Sequence, residues 1–118
     1  MGIRCPVISL LTLTTSHDQE AVRVALSGEL DLSSALLFDE ELRRIEADDL
    51  PRTLVLDLRK LKFLDSTGLR LIWSAHARAR RCGRMLKVVP GTDAVRRIFR
   101  LTGMNERLDI VEDSPKTA

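Results

Sequence analysis

Thr53-Leu54-Val55-Leu56-Asp57-Leu58, followed closely by Phe63-Leu64-Asp65-Ser66-Thr67-Gly68-Leu69, decides the fold of this chain. The first run is apolar enough for a strand buried on both faces. After the second, Leu69, Ile72, Trp73 and His76 recur at i, i+3, i+4 and i+7, the spacing of an amphipathic helix. Ser66 therefore stands where a helix begins, with unpaired backbone N–H groups ahead of it and the positive end of the helix dipole beneath it. A hydroxyl there can cap the helix, and a phosphate on that hydroxyl would be tolerated electrostatically. The segment has the makings of a switch.

Working outward, Val7–Leu13 mixes alternation with β-branched residues and predicts a first strand. The polar run 15–20 predicts a turn, and Ala21–Leu26 alternates again as the second strand of a hairpin broken by Gly28. Ser33 or Ser34 can cap a helix whose inner face holds Ala35, Phe38, Leu42 and Ile45. Asp48, Asp49 and Pro51 end it before the strand at 53–58. The helix opening at Ser66 runs to about Arg81, where Cys82-Gly83 supplies a stop. Arg84–Val89 predicts a strand ended by Pro90-Gly91. Thr92 caps a last helix with Val95, Ile98, Phe99 and Thr102 on one face, closed by Gly103. Leu108–Val111 is a short final strand, and 113–118 is a polar tail. The expected fold is α/β, a mixed sheet of about five strands in the order β-β-α-β-α-β-α-β with helices mainly on one face, forming one domain with its core over about 6–112.

Composition narrows the function. At 118 residues, with 44% apolar and 31% charged side chains, the chain can bury a core without disulfides or metals. A net charge of +2, three Phe, one Trp and no Tyr leave no aromatic platform for single-stranded nucleic acid. The arginines at 78, 80, 81, 84, 96, 97 and 100 suit solvated helix faces, or an acidic protein partner better than DNA. Cys5 and Cys82 lack metal-ligand spacing and suit a reduced cytoplasmic chain. No leader or membrane-spanning segment is visible.

Catalytic templates fail. No GxxxxGK[ST], GxGxxG or GxSxG motif occurs. His76 would lie roughly 15 Å from Ser66 along the same helix, too far to act as its base. Asp57 resembles the phospho-acceptor of a response-regulator receiver. The turn between the first two strands is too short for the crossover that such a fold requires, so Asp57 is expected to be a strand-end carboxylate bonded to loop N–H groups. No catalytic residue, metal site or cofactor is expected.

Gly28-Glu29-Leu30-Asp31-Leu32-Ser33-Ser34-Ala35 is the second distinctive segment. Gly28 frees the backbone, Leu30 and Leu32 can anchor the loop, and Glu29 and Asp31 are left outward, a placement that suits a functional role and the dipole of the following helix equally. The pair G-E-L-D and L-D-S-T-G-L, in this order of strands and helices, resembles the STAS family and more narrowly the bacterial anti-sigma factor antagonists. The resemblance covers about residues 6–112 and includes Leu86–Pro90 and Ile98–Gly103.

The resemblance implies a binding protein, not an enzyme. Its unmodified form binds an anti-sigma factor that is also a serine kinase and frees the sigma factor. Phosphate on Ser66, with Thr67 as the second candidate, switches binding off, and a serine phosphatase restores it. Glu29, Asp31, Ser33, Asp65, Ser66, Thr67, Gly68 and Arg70 are the implied partner-binding residues. The implied protein is cytoplasmic and binds neither nucleic acid nor membrane, and its exposed sheet face leaves room for a weak homodimer. The alternative is a STAS scaffold subunit of a signalling or transport assembly that is never phosphorylated.

Overall fold

In the computed structural model, residues 10–18, 20–48 and 52–112 are described. The elements run β1 (Leu11–His17), β2 (Ala21–Leu30), α1 (Ala35–Ala47), β3 (Thr53–Leu64), α2 (Ser66–Arg81), β4 (Met85–Val89), α3 (Asp93–Thr102), a single 3-10 turn (Met104–Glu106) and β5 (Asp109–Ile110). They form one sheet in the order β1-β2-β3-β4-β5, with β3 at its centre. The β1–β2 pair is the antiparallel hairpin expected, and every later pairing is parallel. Each parallel step moves one place in the same direction. Right-handed crossovers then put α1, α2 and α3 on the same face.

Register aligns the residues under those helices. Val22, Leu54 and Leu86 lie side by side, as do Val24, Leu56 and Val88, and all six are buried. Phe38, Leu42 and Ile45 of α1, Leu69, Ile72 and Ala75 of α2, and Val95 and Phe99 of α3 close over them. A two-pronged ion pair from the Arg78 Nε and Nη2 to Glu46 (2.8 and 2.9 Å) ties α2 to α1. The helix punctuation follows the sequence: Thr92 Oγ1 accepts from Val95 N at 3.3 Å, while Gly83 and Gly103 leave α2 and α3 with φ of 72° and 77°.

Several boundaries differ from expectation. β1 runs through Thr15–His17, which the polar composition marks as turn. These residues lie on an edge strand, and the Thr15 hydroxyl donates to Glu41 of α1 at 2.6 Å. β2 does not stop at Gly28 but passes through it to Leu30, with a register shift on either side. β3 extends beyond Leu58 because two bulge-like shifts change its core period from two to three, giving Leu58, Leu61 and Leu64. The last strand is only Asp109–Ile110, preceded by the 3-10 turn that periodicity did not signal. Val7–Ser9, Asp49, Pro51 and the tail lie outside the described residues.

Asp57 is a buried anchor on the sheet face away from the helices. It accepts from Arg59 N (3.1 Å), the Arg59 guanidinium (2.8 and 2.9 Å) and Arg23 Nη1 (3.0 Å). Burial pushes its carboxyl up, but the Arg59 hydrogen bonds and the charges of Arg59 and Arg23 outweigh it and hold the group below the ordinary carboxylate value. Asp57 thus lies inside β3 and not at a strand end as expected, because the strand continues to Leu64. Its partners are one strand N–H and two guanidinium groups that strand reading does not reveal.

Candidate functional site

The parallel strands β2 and β3 end together, with Leu30 beside Leu64, and both are buried. Their following loops therefore emerge side by side. Asp65 N donates to Leu30 O at 3.2 Å, and Asp65 Oδ2 accepts from Leu32 N at 3.3 Å. The other oxygen, Oδ1, accepts from Gly68 N at 3.0 Å. Asp65, not Ser66, is the N-cap of α2. One carboxylate thus closes the helix start and staples it to the Leu30–Ser34 loop. Caps of this kind contribute about 1 kcal/mol.

With the cap supplied by its neighbour, Ser66 is exposed and its hydroxyl has no hydrogen-bond partner among the described residues. Thr67 is half-buried, and Arg70, one turn along the helix, is exposed. Gly68 is buried against the two strand ends. A Cβ there would lie 2.7 Å from Leu30 Cγ and 2.7 Å from Leu64 Cδ1, inside contact distance. The glycine lets α2 approach close enough for Asp65 to reach both loops. Gly68→Ala is expected to cost roughly 1–3 kcal/mol by overpacking, seen as a lower melting temperature. An unchanged melt would show that the helix start does not seat against Leu30 and Leu64.

The Gly28–Ser34 segment departs from expectation. Leu30 does anchor it, but Leu32 is 77% exposed. Asp31 folds back instead of pointing outward. Its Oδ1 accepts from Ser33 N (3.0 Å), Ser33 Oγ (2.7 Å) and Ser34 N (3.2 Å). The hydrogen bond from the Ser33 hydroxyl is the main cause of its lowered carboxyl pKa, helped by the backbone N–H groups of Ser34 and Ser33. Ser34 heads α1 without a side-chain cap bond. Its buried hydroxyl accepts from Asp31 N (3.0 Å) and donates to Glu29 O (2.8 Å). Glu29 is half-buried on β2, paired in register with Phe63.

Sequence reasoning missed the inward turn of Asp31 and the parts that Ser34, Leu32, Leu36 and Phe63 take in this site. An aspartate followed two and three residues later by serines is the local pattern for an Asx turn, which marks the inward Asp31 and the central Ser34. Nothing marks the exposure of Leu32, Leu36 (67%) and Phe63 (48%). Together the two loops present a free hydroxyl at a helix start beside exposed apolar side chains. That arrangement suits docking and modification, not bond-making chemistry.

Among the described residues, no imidazole bonds to Ser66. His76 lies ten residues further along α2, buried, with its ring 5.4 Å from that of Trp73 and its Nδ1 unpartnered. Burial chiefly, and then the Arg80 charge, push its pKa below the ordinary imidazole value, against a smaller upward pull from Asp109. The unfolded chain binds that proton more readily, so folding stability is full above about pH 6.5 and declines as pH falls toward the lowered folded value. His76→Gln should flatten that decline in a series of urea melts. An identical slope would sink the assignment. Among the described residues, no group of three or more His, Cys, Asp and Glu could hold a metal ion. None of the described helices is long and apolar enough to cross a membrane.

Comparison with known proteins gives this site a context. The family model described as "Mlab, STAS domain" matches residues 13–112. The anti-sigma-F factor antagonist RsfB of Mycobacterium tuberculosis is 30% identical over 98 residues, spanning 81% of this chain and 77% of that protein. The anti-sigma-B factor antagonist of Staphylococcus aureus is 24% identical over 102 residues, 86% of this chain and 94% of that one. A crystal structure of an anti-sigma factor antagonist from Mycobacterium paratuberculosis superposes with a TM-score of 0.81 at 26% identity, covering 87% of this chain and 86% of the other.

Proposed function

The chain belongs to the STAS family, and from that premise we propose that it is an anti-sigma factor antagonist governed by phosphorylation of Ser66. Unmodified, it binds an anti-sigma factor that is also a serine kinase, and so frees a sigma factor. The kinase supplies ATP and phosphorylates Ser66, which ends binding, and a serine phosphatase reverses the step. The observation that carries the proposal is the division of labour at the start of α2. Asp65 makes the cap, leaving the adjacent Ser66 hydroxyl exposed and without a partner.

The surroundings support docking at the same place. Leu32, whose backbone N–H donates to the Asp65 carboxylate, and Phe63, two residues before Asp65, offer apolar area that a partner could cover. Glu29, Asp31, Ser33, Thr67, Gly68 and Arg70 complete the proposed contact region. Asp31 and Ser33 shape the loop and Gly68 sets its depth. The test is capture of partners from the source organism, followed by incubation with ATP and intact-mass analysis. The proposal expects an anti-sigma factor in the capture and one phosphate on Ser66. Stable capture with no phosphate would instead assign the constitutive scaffold.

A further inference from the structure

Helix α2 carries Arg70, Arg78, Arg80 and Arg81 and not one acidic residue. At about 100° per residue, Ser66, Arg70, Trp73, Ala77, Arg80 and Arg81 fall within an arc of about 100°. Leu69, His76, Ile72 and Ala75 follow from the Arg80 edge of that arc around the helix and are buried. The stripe is roughly 22 Å long at 1.5 Å per residue. Its far half forms the wall of a shallow cleft of about 510 Å³, and Glu106 and Arg107 form the opposite wall. Trp73, the chain's sole tryptophan, is half-buried there and backed by the buried His76 ring. Arg70, Arg80, Arg81 and Arg107 have no ion-pair partner among the described residues, although Arg78 and Arg96 do.

We infer that this stripe and cleft are a docking track for an acidic segment of a protein partner, anchored by an apolar side chain against Trp73. The guanidinium groups recognise carboxylates with paired N–H donors, and the indole offers a rigid apolar face. Glu106 on the opposite wall disfavours a polyphosphate backbone. One tryptophan without further aromatic side chains is likewise no stacking platform for bases. A protein segment, which can place an amide or a cation beside Glu106 and carboxylates beside the arginines, fits the mixed lining. The track begins at Ser66, so a partner held along it has its end at the hydroxyl. The inference rests on reading this chain as a protein-binding regulator but does not depend on phosphorylation of Ser66.

The sole tryptophan makes the test direct. A synthetic peptide of glutamate and leucine with one phenylalanine is titrated into the full chain while Trp73 emission is followed. The expected result is a saturable shift that weakens steeply with added salt. Affinity should fall at least tenfold in the Arg80→Glu/Arg81→Glu double variant and in Arg107→Glu, and stay unchanged in Lys60→Glu, a charge reversal at an exposed residue of β3 outside the cleft lining. Thermal melts of each variant verify that it is folded. Equal binding of a lysine-for-glutamate peptide, an equal shift with inorganic phosphate, tighter binding of a single-stranded oligonucleotide, or unchanged affinity in the charge-reversed variants would each overturn the inference. Failure of the Ser66 switch appears separately, as missing phosphate on a chain that still binds the peptide.

Discussion

Replacing Ser66 with aspartate is expected to weaken binding to the anti-sigma partner by about a hundredfold, while Ser66→Ala binds as tightly as the native chain and gains no phosphate there. The alanine change should leave stability within about 0.5 kcal/mol, because an exposed hydroxyl without a partner contributes little and the cap belongs to Asp65. Aspartate adds one negative charge, where phosphoserine adds about −1.5 to −2 at neutral pH. The helix dipole offsets only about 0.3–1 kcal/mol of that charge. The neighbouring Asp65 carboxylate, engaged as the N-cap of α2, opposes it in turn. A phosphate on Ser66 would therefore be driven outward, toward solvent and the partner. A charge desolvated at an interface costs a few kcal/mol, and about 2.7 kcal/mol corresponds to the hundredfold loss. Calorimetric titration with the captured anti-sigma factor measures it. Binding of Ser66→Asp within threefold of native would place the hydroxyl outside the interface.

Much of this arrangement is legible in the residues themselves. The strand from Thr53 through Leu58, the helix opening at Ser66 and the stops at Gly83 and Gly103 follow from periodicity and from glycine's tolerance of positive φ. What escapes reading depends on neighbours. The polar Thr15–His17 is strand because β2 pairs with it and Glu41 receives the Thr15 hydroxyl. β3 continues past Leu58 because bulges re-aim its side chains, and a period of three is not a strand signature. Either Asp65 or Ser66 could cap α2 on local grounds. The choice is made by Leu32 N, contributed by another loop and held by the other oxygen of the same carboxylate. The outward Leu32 and inward Asp31 reverse the simple rule of apolar in and acidic out, because two serines and their N–H groups satisfy the acid locally.

Gly28→Ala is the substitution expected to damage the fold most, by roughly 3 kcal/mol or more. Two costs coincide there. The backbone sits at φ 104°, a region that side chains other than glycine rarely adopt, at about 1–3 kcal/mol. The new Cβ would also lie 1.7 Å from the carbonyl oxygen of Leu10 and 2.9 Å from its carbon. Those are backbone atoms, which cannot rotate away as Leu30 and Leu64 can beside Gly68. Relief requires β1 to move off β2 at the Leu11–Gly28 pair, breaking the hydrogen bond from Glu29 N to Leu10 O (3.2 Å). Gly83 is the control: it also has positive φ, but a Cβ there meets nothing within 4 Å, so Gly83→Ala bears only the conformational cost. Melting temperatures should fall by about 10 °C or more for Gly28→Ala, at roughly 3–5 °C per kcal/mol for a domain of this size, and by distinctly less for Gly83→Ala. Equal losses would mean that strain alone matters and that β1 does not pass over Gly28. Because Glu29 to Ser34 follow directly, a displaced β1 should also loosen the loop that Asp65 holds through Leu32, and Ser66→Asp and Gly28→Ala would then impair partner binding by separable routes, the first without a change in melting and the second with one.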